Sequence, residues 1–229
     1  MQHKSRIRRL TVESLEDRSL MAGNLTVSVV DGSLVISGDD EANGFVIEQA
    51  GQNAFRIRTN SLGGENTLMN GSADTDQTFF GVTDDINIAL KGGPDQVGVG
   101  VKFSSPLQIP RNLNVDGGSA ADSVLINAAV GASGRGGYAI LRSAKLQVDH
   151  AAVPKDFVAK VIDQLDAYKT MSVGGNVFIS GTETDDTYVL DGIKANNLSV
   201  ETFAGRDQVR VSQQPLLRGD VDIDLGDGD

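Results

Sequence analysis

LSVETFAGRDQVRV, at residues 198–211, sets the architecture of this chain because the chain repeats its pattern. LNVDGGSAADSVLI at residues 113–126 and INIALKGGPDQVGV at residues 86–99 align with it without a gap. In each copy, apolar residues alternate with other residues on both sides of a turn that contains glycine. Alternation with a period of two indicates a short strand with one buried face. A unit this small cannot bury its apolar face alone, so we expect the copies to stack.

An aspartate occupies the same place in each copy, seven residues after the second apolar position. The pairs that keep this spacing are Ile88 and Asp95, Val115 and Asp122, and Val200 and Asp207. Stacking predicts that the apolar residues of both strands form one continuous core. The residues expected in that core are Ile88, Val97, Val115, Val124, Val200 and Val209.

The spacing of the copies indicates the fold class. Successive second apolar positions fall in steps of 27, 64, 21 and 23 residues, at Ile88, Val115, Ile179, Val200 and Ile223. Repeats of roughly 20–30 residues are typical of a parallel β-helix. We therefore predict an all-β protein with a parallel β-helix, or β-solenoid, over residues 84–229. A β-sandwich is the alternative, because short strands with regular turns also describe it.

The long step predicts inserted material, and residues 154–171, PKDFVAKVIDQLDAYKTM, have the pattern of an amphipathic helix. Their apolar side chains recur at helical spacing, and Pro154 suits a first helical turn. We expect this helix to lie against the flank of the stack. The apolar stripe consists of Phe157, Val158, Val161, Ile162, Leu165 and Tyr168.

The two ends of the repeat region have their own signals. Residues 24–83 are predicted to form an antiparallel meander and loop that cap the solenoid, with a type I′ hairpin turn at Asp31 and Gly32. VDIDLGDGD, at residues 221–229, matches only the first strand and turn of a copy. We expect the last repeat to be truncated and the chain to be a fragment of a longer protein.

Residues 1–23, MQHKSRIRRLTVESLEDRSLMAG, form a basic segment with the character of a targeting signal. Charged residues interrupt the apolar run that a secretory signal peptide needs. LEDRSLMA, at residues 15–22, resembles the N-terminal LEPR-XLL motif of large bacterial surface and exported proteins. Asp17 stands in place of the motif's Pro, and Met21 in place of its second Leu. The matching residues are Leu15, Glu16, Arg18, Leu20 and Ala22.

The charge and composition exclude several classes of partner and site. The chain of 229 residues carries a net charge of −11, with +2 in residues 1–23 and −13 in the remainder. A field of this sign repels nucleic acid and attracts cations. The absence of cysteine excludes disulfides, thiolate metal sites and cysteine nucleophiles. No apolar run reaches the ~20 residues of a membrane span.

Residues with the spacing of a catalytic motif are almost absent. GxSxG, P-loop and HExxH patterns do not occur. Of the two histidines, His3 lies in the basic segment and His150 has no serine motif beside it, so we expect no enzymatic activity. The alternative is a carbohydrate-active β-helix enzyme, a polysaccharide lyase or hydrolase, with the repeated aspartates aligned in a row on neighbouring coils.

The glycine-containing turns favour calcium over catalysis. KGGPD at residues 91–95, DGG at residues 116–118 and LGDGD at residues 225–229 resemble degenerate haemolysin-type GGxGxD repeats. That resemblance implies calcium held by turn carbonyls and by five carboxylates. Here, however, whole coils separate the turns, and Pro94 and Arg206 occupy turn positions. The candidate ligands are Asp95, Asp122, Asp207, Asp227 and Asp229.

The competing interpretation of each aspartate is a turn residue whose carboxylate accepts backbone N–H bonds. Asp185 and Asp186 are interpreted as solvated loop residues. Taken together, these features predict a non-enzymatic structural or adhesive segment of a large exported or surface bacterial protein. Its partner would be a cell-surface or matrix polysaccharide or protein, and calcium would stabilise it.

Overall fold

The computed structural model describes residues 23–59, 67–100, 106–130, 137–212 and 215–227. Within these ranges every regular element is a β-strand and none is a helix, which confirms the prediction of an all-β fold. No helix suited to crossing a membrane is therefore found in the described part of the chain. The basic segment at residues 1–22, with its LEPR-XLL-like motif, lies outside the described residues.

In the described part of the chain, antiparallel strand pairing is confined to the N-terminal strands. β1 pairs with β2 across a hairpin, and β4 lies between β3 and β6. Asp31 and Gly32 have φ values of 48° and 82°, as the predicted type I′ turn requires. The predicted N-terminal meander is thus confirmed. β5 instead pairs in parallel with β1. The N-terminal strands are β1 (Asn24–Val30), β2 (Ser33–Ser37), β3 (Gly44–Gly51), β4 (Ala54–Thr59), β5 (Leu68–Met69) and β6 (Asp76–Phe80).

The remaining strands pair in parallel with the strands one coil before and one coil after, so the chain winds into a β-solenoid. The β-sandwich alternative is wrong. The strands are β7 (Ile86–Ala89), β8 (Gln96–Val99), β9 (Leu107–Ile109), β10 (Leu113–Asp116), β11 (Ser123–Val130), β12 (Tyr138–Val153), β13 (Phe157–Val173), β14 (Val177–Ser180), β15 (Thr187–Asp191), β16 (Ile193–Ala195), β17 (Leu198–Glu201), β18 (Gln208–Ser212), β19 (Leu216–Leu217) and β20 (Val221–Asp224).

Each full coil contributes to three parallel ladders, which we name the first, second and third faces. The first face contains β2, β7, β10, β14, β17 and β20. The second contains β3, β8, β15 and β18, and the third contains β9, β16 and β19. β11 spans the second and third faces, and the long strands β12 and β13 span all three.

Inward side chains stack in register from coil to coil and form the core. The predicted core residues are at most 3% exposed, except Val209, which is partly buried. On the first face a single apolar row runs through successive coils, and its last member, Ile223, is 39% exposed. This row is Ile36, Ile88, Val115, Ile140, Ala159, Ile179, Val200 and Ile223.

The predicted helix at residues 154–171 is wrong. β12 ends at Val153, a short bend follows, and β13 begins at Phe157. β13 pairs with β12 on one side and with β14, β15 and β16 on the other. The chain here is one complete coil of the solenoid.

A coil of three strand positions imitates helical periodicity, which explains this error. Within a face the inward residues alternate, as Phe157 and Ala159 do. At each corner the alternation changes phase, so the next buried residues lie three or four positions on. Spacings of two, three and four therefore mix in one segment and produce an apparent helical stripe. Among the side chains that the structure describes in this segment, the buried ones are Phe157, Ala159, Ile162, Leu165, Ala167, Met171 and Val173.

The long step between Val115 and Ile179 holds no insertion. Val115 pairs with Ile140, Ile140 with Ala159, and Ala159 with Ile179. Two further coils of the same stack therefore occupy the interval. These two coils do not align with the other copies, because their turns lack the glycine–aspartate pattern.

Candidate functional site

The repeated aspartates lie at the corner that leads into the second face, where they link neighbouring coils. The Asp95 Oδ1 atom accepts a hydrogen bond from the Asn43 N–H at 2.7 Å. Asp122 Oδ1 accepts one from the Asp95 N–H at 2.9 Å, and Asp207 Oδ1 accepts one from the Asp186 N–H at 2.9 Å. We call this row the aspartate ladder. It consists of Asn43, Asp95, Asp122, Asp186 and Asp207.

Burial sets the electrostatics of this ladder. Asp95 and Asp122 are each 1% exposed. Burial raises the pKa of the Asp95 carboxyl to about 7; the Asn43 N–H bond lowers it, and the Asp122 and Asp39 charges raise it further. Burial also raises the pKa of Asp122 to about 6, against the Asp95 N–H bond. The structure therefore favours the protonated form of both carboxyls.

The turn glycines that resembled calcium-binding repeats have a packing role. Gly93 and Gly118 have φ values of 78° and 98°, in the region that favours glycine. A Cβ atom on Gly118 would lie 2.3 Å from the Lys91 carbonyl oxygen of the coil before it. One on Gly93 would lie 2.4 Å from the Glu41 carbonyl carbon. Successive turns thus stack backbone on backbone, and a side chain there would separate the coils.

A second ladder, which the sequence analysis missed, lies at the corner that leads into the first face of each coil. Asn112 Nδ2 donates to Asp85 Oδ1 at 2.8 Å, and Asn112 Oδ1 accepts from the Gly137 N–H at 3.0 Å. Asp156 Oδ1 accepts from the Asn176 N–H at 2.8 Å. The pattern continues with Asn197, whose Oδ1 accepts from the Asp220 N–H at 2.8 Å. We call this row the Asn/Asp ladder.

A signal for this second ladder was available in the sequence. Asp85, Asn112 and Asn197 each stand one residue before an aligned copy, so the alignment began one position too late. The interpretation of Asp186 as a solvated loop residue is also wrong, since it is 1% exposed. Its carboxylate accepts hydrogen bonds from the Thr182 backbone and hydroxyl at 3.0 Å.

The structure brings some of the five predicted calcium ligands together. Asp95 and Asp122 lie on adjacent coils, whereas Asp207 lies further along the ladder beside Asp186. Asp227 is exposed, and Asp229 lies outside the described residues. Among the residues described, no group of three or more acidic or histidine side chains is arranged to hold a metal ion. Calcium binding by these residues stays a prediction.

The side chains of both histidines lie outside the described part of the structure. His3 lies outside the described residues. His150 lies in β12, where its backbone pairs with Asn127 and Thr170, but its side chain is outside the described set.

The first face carries an open groove of about 300 Å³ across β13, β14 and β17. Its outward side chains form two rows in register. Phe178 lies between Val158 and Ser199 in one row, and Ser180 lies between Lys160 and Glu201 in the other. Period-two alternation points these side chains away from the core, and Phe178 is 40% exposed. The sequence gives no local signal for this groove, because its residues come from three successive coils.

Comparison with family models, curated proteins and solved structures finds no match to this chain.

Proposed function

We propose that this chain is a non-enzymatic structural or adhesive repeat segment of a large exported or surface bacterial protein. One observation carries the proposal: the repeated polar residues bind the backbone of the neighbouring coil. Asp95, Asp122 and Asp207 each accept a backbone N–H from the adjacent coil, as do Asn112 and Asn197 in the second ladder. Repeats whose polar residues maintain the stack are suited to building an extended rod.

The export part of the proposal rests on the LEPR-XLL-like motif in the basic segment and on the acidic body. In the bacterium that encodes the chain, protease treatment of intact cells should degrade it. A variant without residues 1–22 should fold with a melting temperature within a few degrees of the full chain and remain inside the cell. Protection of the full chain in intact cells would contradict surface location.

Calcium stabilisation belongs to the same proposal. The support is the acidic repeat region and the least degenerate turn, LGDGD at residues 225–229, where Asp227 is exposed and its N–H donates to the Phe203 carbonyl at 3.1 Å. Calcium accepts a flexible shell of oxygen ligands that magnesium does not. The test is therefore to compare the effects of the two ions on the melting temperature, which calcium should raise more than equimolar magnesium.

The alternative, a carbohydrate-active enzyme, is favoured by one feature of the groove. Lys160 and Glu201 line the same exposed face, and Asp224 follows Glu201 in register on β20. Glycoside hydrolysis commonly uses a pair of carboxylates about 5–10 Å apart. Incubation of the folded chain with neutral and acidic polysaccharides should release no new reducing ends or unsaturated sugars. Release that disappears in Glu201→Gln would replace the non-enzymatic proposal.

A further inference from the structure

We infer that the groove on the first face binds a neutral polysaccharide, with Phe178 as the platform for a sugar ring. The inference rests on the proposed adhesive function and assigns the chemical class of its partner. It is drawn from the exposure, register and charge of the side chains that line the groove.

Phe178 is an exposed phenylalanine inside a regular strand. Phe45, Phe55 and Phe157 are fully buried, whereas 40% of Phe178 is exposed. Phe80 and Phe203 are also exposed, but Phe80 is the last residue of β6 and Phe203 lies outside the strands. An aromatic ring carries negative charge density on its face and attracts weakly positive C–H groups. A pyranose with equatorial hydroxyls presents such C–H groups on its ring faces. Stacking on Phe178 would remove apolar area of both partners from water.

The row beside Phe178 supplies the polar contacts that sugar hydroxyls need. The Lys160 ammonium donates hydrogen bonds, the Glu201 carboxylate accepts them, and the Ser180 hydroxyl between them does both. Ser199 adds a second hydroxyl next to Phe178. An apolar surface with a few convergent polar groups is the usual composition of a small-ligand site.

Charge selects a neutral polymer over an acidic one. Lys160 and Glu201 compensate each other within the groove, so it carries no excess charge of its own. The next coil adds Asp222 and Asp224, both exposed and in register with Ser199 and Glu201. The whole chain carries −11, so an acidic polysaccharide would meet repulsion along the face. A neutral polymer would not.

The size of the groove fits a segment of a chain. Neighbouring strands lie about 4.8 Å apart, so β13, β14 and β17 together span about 10 Å along the solenoid. The groove is open to solvent on this face. A volume of about 300 Å³ is at the lower end of ligand sites. We therefore expect weak binding by one groove.

The experiment uses the full chain in native gels that contain mixed-linkage β-glucan, galactomannan or polygalacturonate, followed by calorimetric titration with the polymer that retards it most. A neutral polymer should retard the chain and polygalacturonate should not. Phe178→Ala should weaken binding about ten-fold or more, whereas Phe178→Tyr, which keeps the ring, should retain it. Phe203→Ala is the matched control, because Phe203 is 41% exposed and does not line the groove. Circular dichroism and thermal melting should show that all variants fold.

The outcomes distinguish the binding proposal from the non-enzymatic one. If no neutral polysaccharide retards the chain, the inference is overturned. A protein is then left as the remaining class of partner. Equal losses in Phe178→Ala and Phe203→Ala, or preferential binding of polygalacturonate, also overturn it. New reducing ends in the bound samples would refute the non-enzymatic function and leave the binding site standing. Binding without products supports both.

Discussion

The stability of the solenoid should decrease as the pH rises, because the two buried carboxyls of the aspartate ladder favour protonation in the folded state. The pKa of Asp95 is raised from 3.8 to about 7 and that of Asp122 from 3.8 to about 6. Below about pH 4 both the folded and the unfolded chain hold these protons. Above pH 4 the unfolded chain releases them first, so stability is lost until the pH passes the folded pKa.

The magnitude follows from the pKa difference for Asp95. A tenfold difference in proton affinity corresponds to about 1.4 kcal/mol, so the full effect is about 4 kcal/mol. Of this, roughly 2–3 kcal/mol should be lost between pH 5 and pH 8. Asp122 acts in the same direction with a smaller effect that is complete near pH 6. Their proximity couples the two titrations, so the combined loss is not the sum.

Asp95→Asn isolates this carboxyl, because the amide keeps an oxygen to accept the Asn43 N–H and cannot ionise. At pH 8 the variant should be more stable than the wild type, and the difference should fall by roughly 2–3 kcal/mol at pH 5. Urea unfolding at constant ionic strength measures both free energies. Asp40→Asn removes one charge from an exposed turn nearby and controls for the general loss of negative charge. A difference between Asp95→Asn and the wild type that is the same at both pH values would refute the reasoning.

Three further predictions concern packing and calcium. Val200→Asp should destabilise the C-terminal coils by several kcal/mol, measured by thermal unfolding, because it buries an unpaired charge. Gly93→Ala should lower the free energy of unfolding, measured with urea, by at least about 1–2 kcal/mol, because φ is positive and the turn of the preceding coil leaves no space for a Cβ atom. Gly92→Ala should cost less, because a Cβ atom there would have its nearest neighbour at 3.5 Å. Calcium should raise the melting temperature more than equimolar magnesium, and the excess should shrink when Asp227 and Asp229 become Asn; a hundredfold excess over Kd contributes about 2.7 kcal/mol.

Each of these has a clear contrary result. If Val200→Asp had the melting temperature of the wild type, stacking of the first-face row would be contradicted. Equal costs for the two adjacent glycines would show that backbone contact between turns is not what requires Gly93. Equal shifts from calcium and magnesium would leave Asp227 and Asp229 without a calcium-specific role.

The sequence alone determined the repeat, the parallel stack and the hairpin at Asp31 and Gly32. These follow from local chemistry: period-two alternation requires strands, and an Asp-Gly pair accommodates the two positive φ values of a type I′ turn. The row from Ile88 to Val200 followed as well, because identical short units can bury their apolar residues only against each other. The sequence also left two roles open for Asp95 and Asp122, calcium ligand or acceptor of backbone hydrogen bonds. The structure shows the hydrogen bonds, and calcium binding stays a prediction.

Only the tertiary structure decided what happens where the local pattern is ambiguous. Residues 157–173 carry apolar spacings that suit a helix, yet they form β13 because strands on both sides offer complete backbone pairing. Pairing between distant strands is a property of the whole stack, and no local window contains it. The same holds for the groove, since Lys160, Phe178 and Glu201 are separated in sequence and become neighbours only through the register of successive coils. Burial of Asp95 likewise depends on the coils on both sides of it, so its raised pKa could not be predicted from its neighbours in the chain.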